Sequence, residues 1–153
     1  NSYFDTPDHA LLAADSGLRV RSVRRPGSPP DRHVITFKGP RQPGAVKARE
    51  EIEFAVGDAE LASRLLSALG YRPDFSFEKR RRTWSLGGCE VVLDELPLLG
   101  RFVEVEGPEE HAIRRVLADI GLDGRPLVGD SYIAMLVDAC LRQGITERFL
   151  RLD

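Results

Sequence analysis

Cysteine and histidine are scarce in this chain of 153 residues, and their scarcity excludes several kinds of site. The two cysteines, Cys89 and Cys140, stand far apart and match no metal-binding spacing. The three histidines, His9, His33 and His111, lack the spacing of a zinc site or of a catalytic triad. We therefore expect two reduced thiols in a cytoplasmic protein.

Long apolar runs and an excess of charge of one sign are also missing. No stretch approaches the roughly 20 apolar residues that a membrane-spanning helix needs. Lys and Arg number 22 and Asp and Glu number 24, which gives a formal net charge of -2, whereas a dedicated nucleic-acid-binding domain is normally basic. We expect neither membrane nor nucleic acid as a partner. The length and the 42% of apolar residues predict one globular domain over residues 1–153.

Short alternating segments predict an antiparallel sheet. Apolar and polar residues alternate, as in half-buried strands, over residues 2–6, 18–23, 33–38, 47–54, 75–86, 90–93 and 102–106. Helical spacing of apolar residues predicts helices over 58–69, 108–120 and 132–142, and Pro7 predicts a short helix near 8–14. The apolar stripe of the helix over 58–69 consists of Leu61, Leu65, Leu66 and Leu69. Strands, helix, strands and helices in this order favour an α+β fold.

Residues 91–107 predict a β-hairpin that carries several carboxylates. Asp94 lies near the end of its first strand, and Glu104 and Glu106 share one side of its second strand. Carboxylates this close repel one another unless water or cations surround them. Two interpretations stay open: a solvated face, or a site for a hard cation such as Mg²⁺ or Mn²⁺, which prefers carboxylate oxygens.

One face of the predicted strands carries ionised side chains of both signs. Its members are Arg19, Arg21, Lys38, Arg49, Glu51, Glu53, Lys79, Arg81, Asp94, Glu104 and Glu106. A sheet with a solvated polar face is ordinary, and that interpretation also stays open. If the strands close into a barrel, a charged interior would be water-filled and would hold an anion and a cation together. A polyphosphate with its divalent metal is such a ligand, because Arg and Lys bind phosphate and carboxylates bind the metal.

An ordered set of motifs carries a family resemblance that covers nearly the whole chain. The motifs are YFDTPD (3–8), LRVR (18–21), TFKGP (36–40), REEIE (49–53), EKRR (78–81), LDELPLLGRFVEVEG (93–107) and DSYIAML (130–136). With them the chain resembles the CYTH domain, or triphosphate tunnel metalloenzyme superfamily, which includes class IV adenylyl cyclases and thiamine triphosphatases. The family pattern begins with a Glu-x-Glu-x-Lys strand before the YFDT segment. That strand does not occur here. We expect it upstream of Asn1, and the alternative is that this protein lacks it.

The resemblance implies a fold and a set of site residues. The implied fold is an eight-stranded antiparallel β-barrel that forms a tunnel, with helices packed outside. The implied triphosphate-binding residues are Arg19, Arg21, Lys38, Arg49, Lys79 and Arg81, of which the catalytic candidates are Lys38, Arg49 and Lys79. The implied ligands of Mg²⁺ or Mn²⁺ are Asp94, Glu104 and Glu106, with Glu51 and Glu53 beside them. Arg80 and Arg82 have the opposite parity and are expected to point outward.

The implied function is metal-dependent chemistry on a small triphosphate. The wording of the motifs is closest to the cyclase branch, which forms cyclic AMP and pyrophosphate from ATP. A triphosphatase acting on inorganic, thiamine or nucleoside triphosphate is the first alternative. A binding module that holds such a ligand without turnover is the second, and homodimerisation is left open.

Aromatic residues are expected to have packing roles. Trp84, Phe75 and Phe77 could stack on a base, but core packing is the preferred interpretation. Tyr132 belongs to the family's Ser-Tyr pair, and its ring is expected to dock the last helix. Asp130 or Ser131 is expected to cap that helix.

Overall fold

The computed structural model describes residues 1–25, 27, 31–42 and 49–152. Within that part the chain forms antiparallel strands and a few helices, in two compact units, Asn1–Phe77 and Glu78–Asp153. This is the α+β class that the order of elements predicts. The described strands do not demonstrate a closed eight-stranded barrel, which therefore stays a prediction.

The first unit is an antiparallel sheet with helices beside it. Its elements are β1 (Ser2–Asp5), α1 (Ala10–Ala13), β2 (Gly17–Val23), β3 (Arg32–Lys38), β4 (Glu51–Val56), α2 (Ala59–Ala68) and β5 (Arg72–Phe77). The strands pair in the order β4–β3–β2–β1–β5. The predicted strand over 47–54 begins at Glu51 among the described residues, and Lys47 lies outside them.

Helix α2 covers one face of this sheet and forms its core. Asp58 caps the helix as predicted, because its carboxylate accepts hydrogen bonds from the Glu60 and Leu61 N–H groups. Ala62 and Leu66 pack in a buried cluster with Phe4, Leu18, Val20 and Ile35. The helix predicted from the spacing of four leucines is confirmed, but only Leu66 of the four is buried, because the helix turns Ala62 and Leu66 to the sheet. Leu61, Leu65 and Leu69 are exposed.

The second unit contains a three-stranded sheet, two helices and one further short strand. Its elements are β6 (Arg80–Leu86), β7 (Cys89–Leu96), β8 (Gly100–Glu106), α3 (Glu110–Asp119), α4 (Tyr132–Gln143) and β9 (Phe149–Leu150). The strands pair in the order β6–β7–β8, with the hairpin predicted over 91–107 between β7 and β8. The single strand predicted over 75–86 is wrong, because β5 ends at Phe77 and β6 begins at Arg80.

Helix ends follow local capping chemistry. Ser131 rather than Asp130 caps α4, because the Ser131 hydroxyl accepts the Ala134 N–H. The apolar stripe of α3 is buried at Ala112, Ile113 and Val116. No helix in the described ranges is long and apolar enough to cross a membrane.

The predicted aromatic core is right for two residues and wrong for the third. Phe75 and Phe77 are almost fully buried in the first unit. Trp84 is 51% exposed. It shares a face of β6 with Arg80 and Arg82 by strand alternation, and all three residues are exposed.

Gly107 provides a test of the close packing where β8 leads to α3. A Cβ atom at this position would lie 2.5 Å from the Cys89 sulfur and 3.2 Å from Ile113 Cγ1. We expect Gly107→Ala to lower the free energy of unfolding by about 1–3 kcal/mol, because overpacking a filled site is destabilising. Urea denaturation of a double-mutant cycle with Cys89→Ala should recover part of that loss.

The matched control is Gly124→Ala, since a Cβ there meets no atom within 4 Å. An equal loss for Gly107→Ala with and without the Cys89 sulfur would contradict the steric explanation.

Candidate functional site

The charged face of the first unit is built by strand register. Arg19 of β2, Thr36 of β3 and Glu53 of β4 lie opposite one another in one row across three strands. Because directly opposed residues share a sheet face, their side chains meet. An Arg19 terminal nitrogen donates to the Thr36 hydroxyl at 3.1 Å, which donates to a Glu53 oxygen at 2.8 Å.

Arg19 is the buried cation of this row. The residue is only 9% exposed, and its Nε is buried without a hydrogen-bond partner among the described residues. Arg19 lies 3.9 Å from the Glu53 carboxylate, and Arg21 lies 3.3 Å from the same oxygen. Two guanidinium groups therefore share one carboxylate. Lys38 has its own partner, since its ammonium lies 2.6 Å from Glu51.

Arg49 is described but stands apart from these pairs. It precedes β4, and the structure shows no hydrogen bond or ion pair from its side chain to any described residue. Hydrogen bonds from Arg41 hold the pKa of Asp15 below its ordinary value, and the charge of Arg49 adds to this effect. The predicted phosphate and catalytic roles of Arg49 stay predictions.

The second unit contains a tighter group of charges, which we name the Asp94 cluster: Lys79, Arg81, Asp94 and Glu104. Asp94, in the middle strand β7, is fully buried. Its carboxylate accepts hydrogen bonds from the Lys79 ammonium at 2.8 Å and from Arg81 Nε at 2.7 Å. Arg81 also donates to Glu104 at 2.7 Å, so its guanidinium bridges two carboxylates.

Burial and pairing change the pKa values in this cluster. Burial, assisted by the charge of Arg81, lowers the pKa of Lys79 from 10.5 to about 8, against the opposing effect of Asp94. Burial acts to raise the pKa of Asp94, but the hydrogen bonds from Arg81 and Lys79 outweigh it and hold the pKa below its ordinary value. Asp94 therefore stays ionised in the protein interior because two cations surround it.

The predicted metal ligands do not form a metal centre in this arrangement. Across the described ranges, no group of three His, Cys, Asp or Glu residues is placed to hold a metal ion. Asp94 and Glu104 direct oxygens to Arg81, and Glu106 is exposed opposite Glu90. Glu51 and Glu53 of the first unit are paired with cations of their own sheet. The residues present thus do not fit the expected Mg²⁺ or Mn²⁺ as they stand, and the metal stays a prediction.

The opposite face of the β6–β8 sheet carries Arg80 and Arg82, as the alternation of residues along a strand predicts. Arg80 pairs with Glu95 at 2.7 Å, and Glu95 also lies 3.7 Å from Arg101. In register, Arg80 opposes Glu95 while Arg81 opposes Asp94. Arg80 and Arg82 therefore point away from the Asp94 cluster, as predicted.

Two residues of these faces were missed by sequence reasoning. Thr36 is fully buried and links Arg19 to Glu53. Its position two residues before Lys38 places both side chains on one face of β3, and this spacing could have identified it. Tyr132 lies at the Asp94 cluster, with the Lys79 ammonium 5.4 Å from the centre of its ring. Only the position of Tyr132 beside Ser131 in a motif pointed to it.

Replacing Asp94 should destabilise the fold, because its cationic partners Lys79 and Arg81 would lose their counter-charge. We expect Asp94→Asn to lower the free energy of unfolding at pH 7 by about 3 kcal/mol, because Lys79 and Arg81 lose their buried counter-charge. The folded-state pKa of Asp94 is below 3.8, so its contribution is complete above that pH and is lost as the pH falls through and below it. Chemical denaturation from pH 7 to 3 should show a flatter acid dependence in the variant.

Glu95→Gln is the matched control, on the same strand and the opposite face. Its partly exposed pairs should contribute less than about 1 kcal/mol. A loss for Asp94→Asn no larger than that of Glu95→Gln would contradict the buried-pair account.

Comparison with known proteins places the chain in a family. The CYTH domain matches residues 1–117. Adenylate cyclase CyaB of Aeromonas hydrophila is 31% identical over 105 residues, which make up 69% of this chain and 50% of that protein. A protein of Methanocaldococcus jannaschii, named as a candidate adenylate cyclase, is 29% identical over 104 residues, or 68% of this chain and 56% of that protein.

A solved structure is similar to this chain over most of its length. The PH1819 protein from Pyrococcus horikoshii OT3 superposes with a TM-score of 0.72 at 26% identity, over 90% of this chain and 81% of that one. The chain spans about half the length of the curated relatives that it matches. Because the family match extends over residues 1–117 of 153, the chain belongs to the CYTH domain family.

Proposed function

We propose that this chain binds the phosphates of ATP and converts it to cyclic AMP and pyrophosphate, in the manner of a class IV adenylyl cyclase. The observation that carries the proposal is the buried guanidinium of Arg19, whose Nε has no hydrogen-bond partner among the described residues and which shares its carboxylate with Arg21. The names of the curated relatives support the cyclase rather than another triphosphate reaction.

The first unit has the chemistry of a phosphate-binding face. A buried donor without a partner is costly, and a phosphate oxygen is an acceptor that removes this cost. Guanidinium groups suit phosphate because their planar fork donates two parallel hydrogen bonds. Arg19, Arg21 and Lys38 supply three cations on a face that holds two carboxylates, Glu51 and Glu53. The face therefore carries one more cation than carboxylate, and this excess favours an anion.

The second unit has two candidate phosphate-binding cations of its own, Lys79 and Arg81. The Arg81 side chain is 28% exposed, so its guanidinium has solvent access while it bridges Asp94 and Glu104. Lys79 is less accessible, at 9%. Arg81 is accordingly the group of this cluster that can turn to a phosphate with the smaller rearrangement.

In the proposed step the α-phosphorus of ATP passes from the α–β bridging oxygen to the ribose 3′-oxygen. The ribose 3′-hydroxyl oxygen bonds to the α-phosphorus, the bond from that phosphorus to the α–β bridging oxygen breaks, and the hydroxyl proton is released. Negative charge accumulates on the departing pyrophosphate, and arginine and lysine side chains stabilise it. The predicted catalytic residues Lys38, Arg49 and Lys79 are candidates for this role.

Arg19→Met tests phosphate binding directly. We expect its dissociation constant for inorganic triphosphate to rise about ten- to a hundredfold in isothermal titration calorimetry, since a charge-assisted hydrogen bond contributes about 1.5–3 kcal/mol. Methionine retains an unbranched side chain, and thermal melts should show that the fold is kept. Arg82→Met is the matched control, because Arg82 is an arginine on the opposite face from Arg81 and should bind as the parent does. Equal affinities for the parent and the Arg19 variant would overturn the assignment.

The reaction itself is distinguished by its products. We expect the full chain with ATP and Mg²⁺ or Mn²⁺ to form cyclic AMP and pyrophosphate in equal amounts without free phosphate, as measured by anion-exchange chromatography. Parallel reactions with EDTA test the predicted metal requirement. Free phosphate from ATP or inorganic triphosphate would identify a triphosphatase instead. Tight binding of either compound without any product would identify a binding module.

A further inference from the structure

Tyr132 lies beside the Asp94 cluster, a position that is not needed to dock helix α4. It is the first residue of α4, where Ser131 caps the helix. Buried residues farther along α4 anchor the helix: Leu136, Ala139 and Cys140. The packing of α4 therefore determines where the Tyr132 side chain lies, and that place is the Asp94 cluster.

The ring of Tyr132 lies against a cation and an aromatic neighbour. The Lys79 ammonium is 5.4 Å from the ring centre, within the range of a cation–π interaction. The ring meets Phe102 edge to face, with centres 5.5 Å apart, and Phe102 opposes Asp94 in the register of β7 and β8. The Lys79 ammonium thus contacts both a π face and the Asp94 carboxylate.

The hydroxyl of Tyr132 is the unexplained group. It is buried and has no partner at full hydrogen-bonding geometry among the described residues. Burial raises its pKa above the ordinary value, and the Glu104 and Asp94 carboxylates beside it raise the pKa further. A phenylalanine would pack α4 equally well without the cost of burying a hydroxyl. A donor held beside two carboxylates therefore points to a role at those carboxylates.

We propose that Tyr132 is a positioning residue of the Asp94 cluster, which holds Lys79 against Asp94 with its ring and keeps its hydroxyl ready to donate to Asp94 or Glu104. The second part rests on the proposed function, in which Arg81 turns to a phosphate. When Arg81 turns, both carboxylates lose a donor, and a buried carboxylate without its donors is costly. The Tyr132 hydroxyl replaces one of these hydrogen bonds without moving α4.

Lysine labelling tests the role of the ring without any assay of activity. The chain has only three lysines, Lys38, Lys47 and Lys79, so acetylation at each can be followed by mass spectrometry. In Tyr132→Leu we expect Lys79 to react about fivefold faster than in the parent, because a desolvated cation–π interaction contributes about 1–2 kcal/mol. In Tyr132→Phe the rate at Lys79 should equal that of the parent, and Lys38 serves as the internal control.

A uniform rise in all three rates would indicate loss of structure rather than of positioning and would count against the proposal. An unchanged rate at Lys79 in Tyr132→Leu would overturn the role of the ring.

Ligand binding tests the role of the hydroxyl. In Tyr132→Phe we expect the dissociation constant for inorganic triphosphate to rise about tenfold while the melting temperature without ligand stays the same, since one hydrogen bond to a charged group is lost only in the bound state. Parent affinity in Tyr132→Phe would overturn this part. If the parent protein itself binds no triphosphate, the proposed function and the hydroxyl role fail together, and the labelling result still decides the role of the ring.

Discussion

The second unit depends on a carboxylate that has no contact with solvent. Asp94 lies in the middle strand of three, and an ionised group in such a place persists only when cations surround it. This requirement accounts for the convergence of Lys79 and Arg81 on one point. Lys79 lies at the break between β5 and β6, where it reaches Asp94 although it belongs to neither strand. Tyr132 then completes the surroundings of Lys79 from α4.

The first unit contains a buried cation, Arg19, instead of a buried carboxylate. Arg19 reaches Glu53 largely through the hydroxyl of Thr36, and Arg21 competes for the same carboxylate. The face of this unit carries more cations than carboxylates, whereas Asp94, Glu104 and Glu106 outnumber the two cations beside them. These imbalances are complementary to an anion and to a cation respectively, taken one unit at a time. The excess of carboxylates in the second unit favours a cation, and Arg81 is the cation that occupies their oxygens in this structure.

Strand alternation made much of this predictable from sequence alone. Residue parity separated Glu51 and Glu53 from Ile52 and Phe54, and Arg81 from Arg80 and Arg82, because a period of two is a local property. It could not show that Trp84 is exposed, since burial depends on whether another element covers that face. The same limit applies to Leu61, Leu65 and Leu69. Contacts such as Lys79 with Tyr132 join residues far apart in the chain and leave no local pattern.

The charged faces constrain the substrate more strongly than the reaction. Cyclisation and hydrolysis of a triphosphate both build negative charge on a departing phosphate group, so arginines and lysines that stabilise this charge serve either reaction. The choice between them depends on which oxygen stands in line with the phosphorus, and hence on groups that hold the sugar or a water molecule. Arg19 and Arg81 therefore indicate a polyphosphate. The geometry around the α-phosphorus must distinguish the two reactions, because the balance of charges is the same for both.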